Sequence, residues 1–159
     1  MPTDELTVRW MIRSDYPCVV GIDARCFPDN PWDPVRLESR VSAGSGYVAT
    51  IGATIIGYAV TLSSPQEIFL ERLGVDPDFR REGAGRALVE RLIQRLVRGP
   101  QQRLSLTVRE RNLGAQLFYR AIGFRAVRVR RDYYLRPTED AYEMQLPAAH
   151  AAPAFAGRR

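Results

Sequence analysis

The chain has 159 residues, 45% hydrophobic and 26% charged, which is enough to bury a substantial core as one soluble α/β domain. No apolar run approaches a membrane span and the first residues lack a signal peptide's apolar core, so a cytoplasmic protein without membrane contact is expected. The net charge of +5 comes from 23 basic residues, all arginine, interleaved with 18 acidic ones; no nucleic-acid motif accompanies them, and direct nucleic-acid binding is not expected.

Leu6, Val8, Trp10 and Ile12 alternate with polar residues and predict a first strand. Ser14 is a candidate cap for a helix with Pro17 in its first turn, running towards Arg25. The loop Phe27–Trp32 follows, and Asp33-Pro34 opens a second short helix. Tyr47–Ile51 and Thr54–Ser63 flank Gly52-Ala53 as a hairpin. A fourth strand, Ile68–Val75, leads through Pro77 and a glycine-rich loop into a helix of about Gly85–Arg98, with Leu88, Leu92 and Leu96 on one face and Gly99-Pro100 as the stop. A fifth strand, Arg103–Val108, precedes a helix that Asn112 caps and Gly123 ends. Strands near Phe124–Tyr134 and Tyr142–Leu146 close the sheet. The domain is expected over 1–147, and the Ala/Pro/Arg segment 148–159 reads as a disordered tail.

The residue inventory narrows the chemistry. The single histidine, His150, lies in that tail, so histidine-based triads and metal sites have no source, and no metal is expected. Cys18 and Cys26 fall within one helix segment and read as reduced thiols. Catalysis therefore falls to tyrosine, carboxylates, backbone donors or water.

The most informative run is Val75 to Leu88, where a strand meets Arg80-Arg81-Glu82-Gly83-Ala84-Gly85-Arg86 and then a helix. Unpaired N–H groups at a helix start, the helix dipole and the arginine charges together make a cradle for a phosphate or pyrophosphate, and glycine lets the backbone approach closely. A Walker loop is excluded because the chain contains no lysine, and a Rossmann fingerprint because Leu88 stands where its third glycine belongs.

The strand–Pro–Arg-Arg-x-Gly-x-Gly–helix arrangement resembles the acyl-CoA pyrophosphate loop of the GNAT family of N-acetyltransferases. The order of elements matches that family over nearly the whole chain. The resemblance implies a mixed, mostly antiparallel sheet of about seven strands, splayed between strands 4 and 5, with about four helices on both faces. It implies acetyl-CoA as cofactor, held by Leu73, Gly74, Val75 and residues Arg80 to Arg86. The segment Leu106–Asn112 and Leu117–Phe124 resembles the family's strand–Asn–helix–Tyr–Gly-Phe stretch. Carried over, Asn112 and Phe118 bind cofactor, and Tyr119 lies beside the thioester sulfur as the general acid for the leaving thiolate. From the residues alone, Asn112 reads as an N-cap and Tyr119 as a core aromatic.

Phe27-Pro28 with Trp32, Val75-Asp76-Pro77-Asp78 and Arg130-Arg131-Asp132-Tyr133-Tyr134 resemble one branch, the ribosomal-protein alanine N-acetyltransferases of RimI type. This implies that Phe27, Trp32, Tyr133 and Tyr134 contact the acceptor, a protein N-terminus. Asp132 replaces the branch's Asn, and Thr107 replaces the glutamate that serves the branch as general base. Glu71, sharing strand parity with Leu73 and Val75, is the best substitute base, with Glu110 weaker; a solvated surface charge is the other reading of Glu71. An α-amine near pKa ~7.8 costs only about 1 kcal/mol to present neutral at pH ~7, against roughly 4.6 kcal/mol for a lysine amine near ~10.4, so a weak base suits an α-amine. The expected activity is direct transfer of acetyl to such an amine by a monomer or weak dimer. A small-molecule amine acetyltransferase and a non-catalytic acyl-CoA sensor are the alternatives.

Overall fold

The structure, a computed structural model, describes residues 5–135 and 137–151. Seven strands form one sheet in the order β1-β2-β3-β4-β5-β7-β6: β1 (Leu6–Trp10), β2 (Ser45–Ile51), β3 (Thr54–Ser63), β4 (Glu67–Val75), β5 (Arg103–Arg109), β6 (Arg125–Leu135) and β7 (Thr138–Pro147). The helices are α1 (Tyr16–Cys26), α2 (Pro34–Ala43), α3 (Ala84–Arg98) and α4 (Leu113–Ile122). None among the described residues is long and apolar enough to cross a membrane. The chain divides into two compact units, one within Met1–Leu62 and Leu70–Leu92, the other within Ser63–Phe69 and Ile93–Arg159.

In the first unit, β1, β2 and β3 form an antiparallel meander, with Leu6↔Ile51 through Trp10↔Tyr47 on one side of β2. The β2–β3 turn uses Gly52 at φ 58, the left-handed conformation a two-residue hairpin loop favours. Met11, Val19, Ile22, Trp32, Leu37, Val48, Tyr58 and Val60 make its core. Asp33 caps α2 by accepting from Arg36 N at 2.7 Å, with Pro34 in the first turn, as the sequence suggests. Ser14 does not cap α1. It lies in a 3-10 turn, and Asp15 accepts there from Ile12 N at 2.8 Å while binding Arg9 at 2.8 and 3.0 Å. A carboxylate outcompetes a hydroxyl because it takes a backbone donor and a guanidinium together.

In the second unit, β4 pairs with β5 in parallel over three positions, Glu67↔Arg103 to Phe69↔Ser105, where the register ends. β7 lies between β5 and β6, antiparallel to both. Apolar β5 residues Leu104, Leu106 and Val108 face Leu146, Met144 and Tyr142 of β7. β6 carries arginine instead and takes the sheet edge, where charge discourages further strand pairing. The tail begins with order. Residues 148–151 form a helical turn, Ala148 N donates to Gln102 O at 2.8 Å, and Ala151 is buried; residues 152–159 lie outside the described ones.

Candidate active site

Two groups of expected site residues assemble, one in each unit. In the first unit, Glu71, Leu73 and Val75 share the half-buried face of β4, as their parity requires, while Ile68, Leu70 and Gly74 point into the interior. Gly74 has a packing reason: a Cβ there would sit 2.6 Å from the Tyr58 ring. After Val75, Asp76 accepts from Asp78 N at 3.0 Å and from Arg25 at 2.8 Å, which fixes the Pro77 turn.

The loop then takes an unusual path, with Arg81 at φ 73 and Gly83 at φ 84. Positive φ at a non-glycine costs roughly 1–2 kcal/mol, so the surrounding fold must hold Arg81 in place. Such alternation turns backbone N–H groups towards one side, the arrangement that forms anion nests. Helix α3 begins at Ala84, and its first backbone bond runs from Ala87 N to Gly83 O at 2.9 Å. The N–H groups at its start are thus the orphan donors every helix has. Arg80, Arg81, Glu82, Gly83 and Arg86 are exposed, Gly85 is half-buried, and Ala84 anchors the turn at 2% exposure. Arg86 is also paired to Glu90 at 3.0 Å. Backbone donors with guanidinium groups suit a pyrophosphate, and these residues fit the phosphate end of CoA.

Glu71 is not a free solvated charge: its carboxylate meets Arg40 of α2 at 3.0 Å. Its neighbour Arg72 binds Asp23 in bidentate fashion, Nε to Oδ1 at 2.8 Å and Nη2 to Oδ2 at 3.0 Å, and donates to Asn30 O at 2.6 Å. The guanidinium stacks 3.9 Å from the Phe27 ring centre and 4.8 Å from that of Trp32. Asp23 also accepts from Trp32 N at 2.6 Å and from the Tyr58 hydroxyl. Phe27 is half-buried under Arg72, whereas Trp32, expected at the acceptor, is 4% exposed and packs in the core. The one sign of Asp23's role in the sequence is its place directly after Ile22 in an apolar helix segment, where an aspartate is buried only if paired.

In the second unit, Tyr119 is 8% exposed and lies edge-on to Phe118 at 5.0 Å and to Phe124 at 5.5 Å. Burial pushes its phenol well above the ordinary range and Tyr134 adds to that, so the proton stays on. Asn112 caps α4, accepting from Ala115 N at 3.1 Å. Thr107 Oγ1 lies 3.5 Å from the Tyr134 hydroxyl, and the Arg109 guanidinium sits 3.9 Å from the Tyr134 ring centre. Glu139, also not anticipated, holds this corner by accepting from Arg111 N at 2.8 Å and meeting Arg109 at 3.5 Å. Glu110 is exposed. Tyr133 is exposed and edge-on to Tyr134 at 5.0 Å.

Asp132 explains how those tyrosines are presented. Its φ is 51, in a bulge where three residues of β6, Arg131 to Tyr133, stand against the single β7 residue Asp140, between the pairs Arg130↔Ala141 and Tyr134↔Glu139. Asn and Asp are the non-glycine residues that tolerate this conformation best, so aspartate can stand where the branch has asparagine.

The family profile described as "Acetyltransferase (GNAT) family" matches residues 7–124. The chain belongs to the GNAT family. This GNAT protein is 33% identical over 150 residues to the N-alpha-acetyltransferase RimI of Mycobacterium tuberculosis, covering 90% of this chain and 93% of that one. It is 42% identical over 148 residues to the ribosomal protein bS18-alanine N-acetyltransferase of Salmonella typhimurium, covering 89% and 97%. Its fold matches the crystal structure of the ribosomal-protein-S18-alanine N-acetyltransferase from Escherichia coli with a TM-score of 0.82 at 32% identity, covering 91% and 94%. The GNAT chain is thus an N-acetyltransferase similar to the RimI branch.

Proposed function

We propose that the protein transfers acetyl from acetyl-CoA directly to the free α-amino group of a protein N-terminus, a ribosomal protein being the model substrate suggested by its relatives. The observation that carries the choice of acceptor is the Thr107–Tyr134 contact at 3.5 Å, which puts neutral hydroxyls where the branch has its glutamate. An α-amine, about 1 kcal/mol from neutrality, needs no stronger base.

Bound acetyl-CoA supplies the acetyl group as an activated thioester. The backbone of Arg81 to Arg86 holds its pyrophosphate, with Arg80 adding charge, and the edge of Leu73 to Val75 orients the arm; Asn112 and Phe118 are further cofactor contacts. Glu71, or water, receives the proton the amine gives up. Tyr119 keeps its proton on Oη and offers it to the sulfur. A thiol titrates near ~8.5 and an unperturbed phenol near ~10, so outright transfer is uphill by about 2 kcal/mol even before burial is counted. Tyr119 therefore acts first as a hydrogen-bond donor to the departing sulfur. Phe27, Tyr133 and Tyr134 contact the acceptor, and Trp32 supports Phe27 through Arg72.

The test is CoA release across a panel of peptides with free Ala, Ser or Met N-termini, N-blocked lysine peptides and small polyamines, with mass spectrometry locating the acetyl group. Acetylation of free N-termini is expected. Turnover with small amines alone overturns the acceptor, and tight CoA binding without turnover favours a sensor.

A further inference from the structure

Thr107 puts a hydroxyl where the RimI-type branch has its glutamate, but the neighbouring strand carries a carboxylate beside it. β7 pairs with β5 residue by residue, and Thr107 lies directly opposite Glu143. Directly paired residues of antiparallel strands put their side chains on the same face, with Cβ atoms about 4.5–5.5 Å apart. Side chains alternate along each strand, so Glu143 shares its face with Thr107, Arg109 and Ala141, while Tyr142 and Met144 take the other. Tyr134, paired with Glu139, lies on the same face as Glu143, and its hydroxyl meets Thr107 Oγ1 at 3.5 Å. Tyr134 also lies near enough to Tyr119 to raise its phenol further. Glu143, Thr107, Tyr134 and Tyr119 are thus successive neighbours within the second unit.

The Glu143 carboxylate keeps acceptor capacity that the fold does not use. Its side chain is 13% exposed, and Oε2 is enclosed by protein without a hydrogen bond. Arg128 and Arg130 each bring Nε to 3.5 Å from that one oxygen, too far for a normal hydrogen bond. A carboxylate has about four acceptor sites, and leaving a buried one unsatisfied costs stability. Two other carboxylates of this face are occupied. Glu139 accepts from Arg111 N at 2.8 Å, and Glu67 accepts from the Ser105 hydroxyl. The charged groups around Glu143 are Arg128 and Arg130 on β6 and, further along the face, Arg109 with Glu139 beside the Tyr134 phenol.

We infer that Glu143 is the general base of the reaction, the carboxylate that takes the proton of the acceptor amine. The inference rests on the α-amine reading above and names the group that receives the proton, in preference to Glu71 or free water. Roughly one α-amine in seven is neutral at pH ~7, given a pKa near ~7.8. Even the neutral amine must lose a proton as its N–C bond forms. The nitrogen lone pair makes that bond, the N–H electrons return to nitrogen, and the proton passes to a Glu143 oxygen directly or through one water. The C–S bond breaks towards the sulfur that Tyr119 faces, and Glu143 then releases its proton to solvent. Arg128 and Arg130 hold the carboxylate in place without occupying it.

The experiment follows acetylation of an Ala-initiated peptide by the full chain and its variants from about pH 6 to 10. In E143Q, kcat should fall about 100-fold, with the KM values for peptide and acetyl-CoA within about twofold of the parent. The rising limb near ~7.8 belongs to the amine and should remain. T107E/E143Q moves the carboxylate to the paired position about 5 Å away and should recover about tenfold or more in kcat. E143D keeps the charge facing Arg128 and Arg130 but withdraws it by one methylene, and should lose about tenfold at an unchanged urea midpoint. Full turnover in E143Q or E143D overturns the proposal and leaves the α-amine reading standing. So does a loss that tracks a lower urea midpoint and resists rescue by T107E, or a loss in E71Q while E143Q keeps its rate. No acetylation of any free N-terminus overturns both.

Discussion

Arg72 of β4 grips Asp23 of α1 through both Nε and Nη2, at 2.8 and 3.0 Å, and lays the other side of its guanidinium on Phe27. The pair ties the strand bearing Glu71 to the loop bearing Phe27 and Trp32. Asp23 is 2% exposed, and removing one partner of a buried pair strands the other charge. Asp23→Ala is expected to cost about 3–5 kcal/mol, read as a lower urea midpoint with an unchanged slope. Arg72→Met, which removes the other charge, should also raise the acceptor KM, because Phe27 loses its support.

Tyr58 extends that network to alkaline pH. Burial raises its phenol above the ordinary value, and the bond to Asp23 raises it further. A raised phenol contributes stability that is complete below the unfolded pKa of ~10 and is lost as pH climbs beyond it. The denaturation midpoint should therefore hold from about pH 8 to 9.5 and fall above about 10. Tyr58→Phe should start lower, by about 1.5–3 kcal/mol for a hydrogen bond to a charged group, with a flatter alkaline decline. An equally steep decline in the variant would assign the effect to other groups.

Tyr119→Phe keeps the ring contacts with Phe118 and Phe124 and removes only the proton donor. Turnover should drop about 100-fold or more while acetyl-CoA affinity is retained. The pH–rate profile supplies a second reading. Because burial holds the phenol above its usual range, the rate should rise as the α-amine deprotonates near ~7.8 and show no falling limb near ~10. A limb there would contradict the buried, protonated phenol.

The phosphate loop separates strain from charge. Arg81→Gly relieves a φ of 73 and should stabilise the fold by about 1 kcal/mol while raising the acetyl-CoA KM through the lost cation. Gly83→Ala, at φ 84 with its Cβ position at an ordinary 3.9 Å from Leu6 Cδ2, should destabilise by about 1 kcal/mol from backbone strain alone. Opposite signs in stability with parallel losses in acetyl-CoA KM would mark the loop as a shaped cradle. Thermal melts and acetyl-CoA titrations check both.

Asp132 offers a simpler contrast. Asp132→Asn should be nearly neutral, since both residues tolerate φ 51, whereas Asp132→Val should cost about 1–2 kcal/mol and disturb Tyr133 and Tyr134. Chemical denaturation and peptide KM values measure the two effects.

Local chemistry by itself determined much of this protein. Asp33-Pro34 opens α2, Leu88, Leu92 and Leu96 define the buried face of α3, Asn112 caps α4, and the glycines and arginines of 80–86 mark a phosphate loop. Each signal lies within one turn or one periodic face, where neighbours in sequence are neighbours in space. Tertiary structure alone decided the rest. β7 separates β5 from β6 because its apolar residues match those of β5 across a long gap in sequence, while the arginines of β6 favour the edge. Asp23 is a buried hub because Trp32, Tyr58 and Arg72 converge on it from three other parts of the chain. Asp15 displaced Ser14 because Arg9, from β1, stood ready to share its carboxylate. A charge's environment is set by what the fold packs around it, and spacing along the chain does not carry that information.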